Sequence, residues 1–251
     1  MEGTLALLIS QTELETHSVE AWHQDVLDDI RARLSSPSDF PCTFSQNAFR
    51  RRLVQFAFVD APGTAGFDQG ATALTQYAAE SRNWDGRVDS AKPLLMVFGP
   101  GTVAGNKLDD YHAHGWQALH HWMATDPTPW PETVAPNPQD PFWSFCFDGL
   151  QLFVNMSAPA HVTRKSRNLG RYLTLVINPR ERFDIVAGDT PEGQRTRARI
   201  RARAEAYDGI PHSPRLGSYQ KGELEWVQYA LPDDNDTPLG SCPLHARDQA
   251  T

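Results

Sequence analysis

The sequence predicts an α+β fold: a single domain with a largely antiparallel sheet flanked by helices. Three observations predict it. Apolar runs of strand length are joined by hairpin-type turns, above all Asp148-Gly149 between residues 142–147 and 150–157. Helical periodicity falls mainly before and after these runs, an order that separates α+β from a doubly wound parallel sheet. No GxGxxG follows a strand, so neither a nicotinamide- nor a flavin-binding unit is indicated. A chain of 251 residues is long enough to bury one substantial core.

In chain order, residues 1–36 form an N-terminal helical segment. Val19, Trp22, Val26, Ile30 and Leu34 recur three and four apart, which predicts a helix over 17–34. The turn-rich SSPSDFP leads to Cys42, and a short helix is expected over 46–51. Residues 53–60 and 93–99 are apolar strands closed by Pro62-Gly63 and Pro100-Gly101. Helices are expected over 68–81 and 107–125, the second stopped by DPTPWP. The proline-rich stretch to Pro141 is a long irregular loop. Residues 171–178 and 183–187 suggest a second strand pair about Pro179-Arg180. Thr190 and Pro191 open a basic helix over 191–207 as N-cap and first helical residue. Its arginines read as a solvated face. Residues 218–233 suggest a turn and a strand, and 234–251 a flexible tail.

Composition is that of an ordinary globular protein, 40% hydrophobic and 22% charged. The net charge of −8 argues against a nucleic-acid partner and suits, weakly, a cationic small molecule. Cys42, Cys146 and Cys242 are odd in number and widely spaced, which suggests reduced thiols. No basic, cleavable leader opens the sequence, and no apolar stretch approaches the ~20 residues of a membrane span, so a cytoplasmic location without a membrane partner is expected.

His161 is the residue to single out. It follows the apolar run 150–157, and Arg164, Lys165 and Arg167 come within six residues. A neutral imidazole beside an apolar wall can ligate a metal, and neighbouring arginines can hold carboxylates bidentately. Haem asks for that combination, and Phe142, Trp143, Phe145, Phe147 and Phe153 offer a wall. On residue chemistry alone, the plainer reading of a buried histidine with surface arginines leads. His112, His114, His120 and His121 lack the i, i+4 spacing of metal ligands and read as solvated or capping residues. Cys42 and Cys146, each between aromatics, read as packing, with Cys42 kept as a second candidate thiolate ligand.

Several short motifs then occur together in order. They are Phe40-Pro41-Cys42, Asp126 with Pro129-Trp130-Pro131, Trp143-Ser144-Phe145-Cys146-Phe147-Asp148-Gly149, and Pro159-Ala160-His161 with Arg164, Ser166 and Arg167. The C-terminal set is Ile200-Arg201, Tyr207-Asp208, Leu216-Gly217-Ser218-Tyr219 and Glu225-Trp226-Val227-Gln228-Tyr229. On these the chain resembles the YqcI/YcgG family of haem-binding proteins. Met123 stands where relatives tend to carry a histidine, and Gly222-Glu223-Leu224 matches loosely.

The resemblance implies haem b, with His161 as axial ligand, or Cys42 in its place, and Arg164 and Arg167 at the propionates. It implies an N-hydroxylase; the family has branches in D-cycloserine and guanitoxin biosynthesis, and the chain is more similar to the first. The implied substrate is L-arginine, hydroxylated on its guanidino group with dioxygen and electrons from a separate reductase, or with peroxide. Phe145 would contribute to the haem wall. Glu225 and Asp148 lie inside motifs and are candidates to hold the guanidinium. Another guanidine or amine as substrate, or a haem carrier or sensor without turnover, are the alternatives.

Overall fold

The computed structural model describes residues 8–244. Strands β1 (Leu8–Ser10), β2 (Gln55–Val59), β3 (Leu94–Phe98), β4 (Phe145–Phe147), β5 (Leu150–Ser157) and β6 (Leu173–Pro179) form one sheet in the order β1-β2-β3-β6-β5-β4. Every neighbouring pair is antiparallel except β2–β3. A parallel pair needs a crossover, supplied by α4 (Gly63–Ser81). Asp148 and Gly149, with φ of 49° and 70°, turn β4 into β5 as the Asp-Gly signal predicts.

The other helices are α1 (Gln11–Thr16), α2 (Ala21–Leu34), α3 (Thr43–Arg50), α5 (Leu108–Thr125), α6 (Arg180–Ala187) and α7 (Pro191–Asp208). Strand alternation divides the apolar residues between two cores. Leu152, Val154 and Met156 of β5 share one core with Leu74 of α4 and Leu119 and Trp122 of α5. The helices approach closely there: a Cβ on Gly70 would lie 2.7 Å from the Trp122 ring. On the opposite face, Phe56 and Val97 pack with Val26, Leu27 and Ile30 of α2. Each such side chain stabilises the fold by roughly 1.5–3 kcal/mol on full burial. Among the described residues, no helix is long and apolar enough to cross a membrane.

Four local expectations change. The helix expected over 17–34 starts at Ala21, because the Ser10/Glu13 capping box builds a separate α1 that ends at His17. Residues 183–187 are helical, not a strand. Pro179 is the last residue of β6, and its fixed φ of −54° with Glu181 in the next turn suits a helix start. Residues 218–233 hold 3-10 turns at Tyr219–Lys221 and Trp226–Gln228 instead of a strand. In the segment expected to be a loose tail, Cys242 and Leu244 are buried in the first core. Residues 1–7 and 245–251 lie outside the described residues.

Candidate functional site

The face of β5 and β6 away from α4 and α5 is not filled by a helix. Phe153, Asn155, Ser157, Val176 and Asn178 project from it at every second position. They form the floor of a cavity of about 440 Å³, within the range of small-molecule and cofactor sites. Helices α3, α6 and α7 close the rest. Arg197, Ile200, Arg201, Ala204 and Asp208 of α7 line it, at the three- and four-residue spacing of one helix face. The basic helix is therefore a wall on one side and solvated on the other.

Charge in the cavity runs against charge on the chain. Arg164, Arg167, Arg180, Arg182, Arg197 and Arg201 line it, against Asp184, Asp208 and Glu225. The whole protein is at −8. This positive lining suits anionic groups, which the overall acidity did not suggest. Arg180 Nε pairs with Glu225 Oε2 at 3.1 Å, and Arg197 pairs with Asp189 at 2.8 Å. Among the described residues, Arg164, Arg167, Arg182 and Arg201 have no carboxylate at ion-pair distance. Arg167 donates to the Gln228 carbonyl and Arg201 to the Leu216 carbonyl. Arg182 donates to Tyr77 Oη, Ser81 Oγ and the Lys92 carbonyl. Burial, reinforced by Arg164, pushes the Arg167 guanidinium down to about 9. It still carries its charge at neutral pH, which makes it a desolvated cation at the cavity wall.

Of the two buried carboxylates of the lining, Asp208 and Glu225, Glu225 is the one paired with an arginine. Its Oε1 accepts from Ser144 Oγ at 2.8 Å and from Tyr229 Oη at 2.5 Å. Burial raises its pKa despite the opposing charge of Arg180. Cys42, half-buried, caps α3 through Sγ, which accepts from the Ser45 N–H at 3.4 Å, and it lines the cavity.

His161 lies beside this cavity and not in its lining. The turn that carries it is tied at both ends. Asp233 accepts from the backbone N–H groups of Val162, Thr163 and Arg164, and Asp208 accepts from the Ser166 N–H and Oγ at 2.7 Å. Burial disfavours the Asp233 carboxylate, but those N–H donors hold its pKa below the usual range. Asp233 Oδ1 also lies 3.3 Å from His161 Nδ1. His161 is 2% exposed, and its Nε2 is buried without a hydrogen-bond partner. The same is true of Nε2 of His112, on α5, whose ring centroid is 5.7 Å from that of His161. Burial pushes both imidazoles down to about 4, so both are neutral at pH 7.

The cavity therefore brings together four of the residues singled out in the sequence: Cys42, Arg164, Arg167 and Glu225. Three lie elsewhere. Phe145 points into the first core, on the other face of the sheet. Asp148 sits in the hairpin turn, paired with Arg82 at 2.9 Å and accepting from Thr128 Oγ1 at 2.8 Å. His161 adjoins the cavity through Arg164 and Arg167. Cys146 is fully buried, and burial pushes its thiol far up, which suits packing. Arg180 and Arg182 fall in the turn expected between residues 171–178 and 183–187, where no site was looked for. Asp233 stood at the edge of the supposed tail. Asp208, within the Tyr207-Asp208 motif, carried a signal that residue spacing alone did not give.

The YqcI/YcgG family model matches residues 30–245. A protein of Streptomyces lavendulae named "Putative N(omega)-hydroxy-L-arginine synthase DcsA" is 49% identical over 98% of this chain and 92% of its own. The uncharacterized protein YqcI of Bacillus subtilis (strain 168) is 32% identical over 94% of each chain. The uncharacterized protein YcgG of the same organism is 31% identical over 89% of this chain and 88% of its own. No solved structure matches the chain.

Proposed function

The chain belongs to the YqcI/YcgG family, and from that premise we propose that it N-hydroxylates the guanidino group of L-arginine with a haem as cofactor. The observation that carries the reading is the cavity: apolar walls, three carboxylates, and six arginines of which four have, among the described residues, no carboxylate at ion-pair distance. The relative from Streptomyces, named as an N(omega)-hydroxy-L-arginine synthase, supports the reaction and the substrate.

The residues fit haem in three respects. An imidazole nitrogen, Nε2 of His161, is buried with no hydrogen-bond partner, while Asp233 faces the other ring nitrogen. A carboxylate behind a histidine is the usual support of a metal ligand. Arg167 is a buried cation lacking an anion, and Arg164 stands beside it; both suit propionates. Aromatic and aliphatic side chains supply the apolar wall. When bound, haem supplies the activation of dioxygen that insertion of oxygen into an N–H bond requires, with two electrons from a separate reductase, or peroxide in place of both.

The chain's own residues bind and orient. A guanidinium stays protonated, with a pKa above about 12, and calls for a carboxylate. Glu225 is that carboxylate in the cavity, with charge-assisted bonds of about 1.5–3 kcal/mol each. Arg182 or Arg201 takes the α-carboxylate. Asp148, paired with Arg82 and Thr128 in the hairpin turn, lies outside the cavity lining.

His161 would hold the haem iron in this reading. A second reading is favoured by one observation: Cys42 stands in the cavity lining and His161 does not. Haem titration into the purified protein, followed by addition of L-arginine, tests the proposal. A Soret band that shifts with L-arginine is expected. His161→Ala removes the band and the activity if His161 is the ligand, and Cys42→Ser does so if the thiolate is. No band at all sinks both readings.

A further inference from the structure

We propose that His112 and His161 together form a two-imidazole site for a transition-metal ion. The proposal rests on the reading above only in taking His161 as a metal ligand, and it adds a second ligand from a different element, α5.

The geometry suits one shared ion. A metal at Nε2 lies ~2.0–2.1 Å from each nitrogen, which places two rings that share it with centroids roughly 5.3–6.5 Å apart, from a tetrahedral to a linear angle. The observed separation is 5.7 Å. Both Nε2 atoms are buried and lack any hydrogen-bond partner, so neither nitrogen bonds to the other ring or to a third group. An orphaned buried acceptor costs about 1–3 kcal/mol, and two side by side have no structural reason to persist. Asp233 faces Nδ1 of His161 and is itself fixed by three backbone N–H groups, so the ring is held from behind.

The surrounding charges define the ligand further. Asp109 and Asp233 favour a cation here, whereas Arg167 and Arg215 oppose it. A metal carrying an anionic ligand fits this balance better than a bare dication. Neutral imidazoles suit zinc, iron, cobalt, nickel and copper, not magnesium or calcium. The iron of haem and a free divalent ion present the same chemistry, and experiment separates them.

The probes are cobalt(II) and haem, each titrated into metal-free protein of the wild type, His112→Gln and His161→Gln. With cobalt(II), the expected result is one visible-absorbing site of at least tenfold weaker affinity in each variant. With haem, whose iron must keep a position open for dioxygen in the proposed reaction and whose two faces would need the linear separation, no six-coordinate spectrum is expected at 5.7 Å. A six-coordinate low-spin ferric spectrum that His112→Gln converts to five-coordinate would name haem as the occupant. Either result supports the site and names its occupant. Echo-modulation EPR of one equivalent of copper(II) on the wild type needs no variant: two equivalent imidazoles are expected. Unaltered cobalt and haem titrations in His112→Gln, with a single imidazole on copper, overturn the pair. N-hydroxyarginine formation surviving in both variants, with the cobalt and copper signals of the pair present in the wild type, would support a metal site apart from the haem and leave the proposed reaction standing on Cys42. A metal-loaded pair without any product from L-arginine would support the pair and overturn the proposed reaction.

Discussion

Arg180 Nε and Glu225 Oε2 face each other at 3.1 Å across the cavity wall, with side chains only 8% and 5% exposed. Arg180 opens α6 and Glu225 precedes the 3-10 turn at Trp226–Gln228, so the pair ties together two segments distant in sequence. Ser144 and Tyr229 donate to the other carboxylate oxygen. Removing one member of such a pair is far more costly than removing both. Glu225→Ala is expected to lower stability by about 3–5 kcal/mol, and Glu225→Ala with Arg180→Met by clearly less. Urea unfolding of the three proteins measures it; equal losses for single and double variants would deny the coupling.

Arg167 gives the opposite sign. It is a buried cation whose assigned acceptor is the Gln228 carbonyl. Replacing it with an apolar side chain of similar length removes a desolvated charge. Arg167→Met is therefore expected to stabilise the cofactor-free protein by about 1–4 kcal/mol while weakening haem at least tenfold. Thermal unfolding with and without haem reads both effects. A destabilised cofactor-free variant would show that Arg167 serves the fold itself.

Stability should fall in mild acid. The unfolded chain protonates its histidines near ~6.5, whereas burial holds His112 and His161 at about 4 in the folded protein. Between those values the unfolded state binds more protons, so stability declines as pH drops from about 6.5 to about 4 and is unaffected by these rings above that window. The loss is of the order of 3 kcal/mol for each ring taken alone. Denaturant midpoints across this range, compared with those of His112→Gln/His161→Gln, check it; an equal acid dependence in the double variant would contradict it.

Much of this fold is legible in local chemistry. Asp148-Gly149 marks its hairpin because few residues accept a left-handed turn. Thr190 accepts from the Gly193 N–H and Pro191 follows it, so α7 begins where its cap requires. What is not legible depends on distant partners. Residues 183–187 alternate like a strand, but β6 is already paired through Pro179 and offers no further edge there. The arginines of α7 look solvated until the sheet face opposite is known. Cys42, Arg164, Arg167 and Glu225 were found through motifs, and the cavity now joins them. Asp233 and His112 belong to the site only because the 161–164 turn folds against them, at sequence separations that no local pattern encodes.

The Asp208 clamp makes a further prediction. Its carboxylate holds the Ser166 N–H and hydroxyl, fixing the turn that presents Arg164 and Arg167. Asp208→Ala leaves a half-buried N–H and hydroxyl without their acceptor, at a cost of about 1 kcal/mol. Haem affinity should fall with it, whereas Ser166→Ala should cost less than half as much. Haem titration and thermal unfolding of the two variants decide; unchanged haem affinity in Asp208→Ala would detach the clamp from the site.

The most direct test is a turnover experiment with haem-loaded protein, L-arginine, a reductase system and isotopically labelled dioxygen, read by mass spectrometry. N-hydroxy-L-arginine carrying one labelled oxygen atom is the predicted result. Full haem occupancy with L-arginine recovered unchanged, under both reductase and peroxide supply, would contradict it.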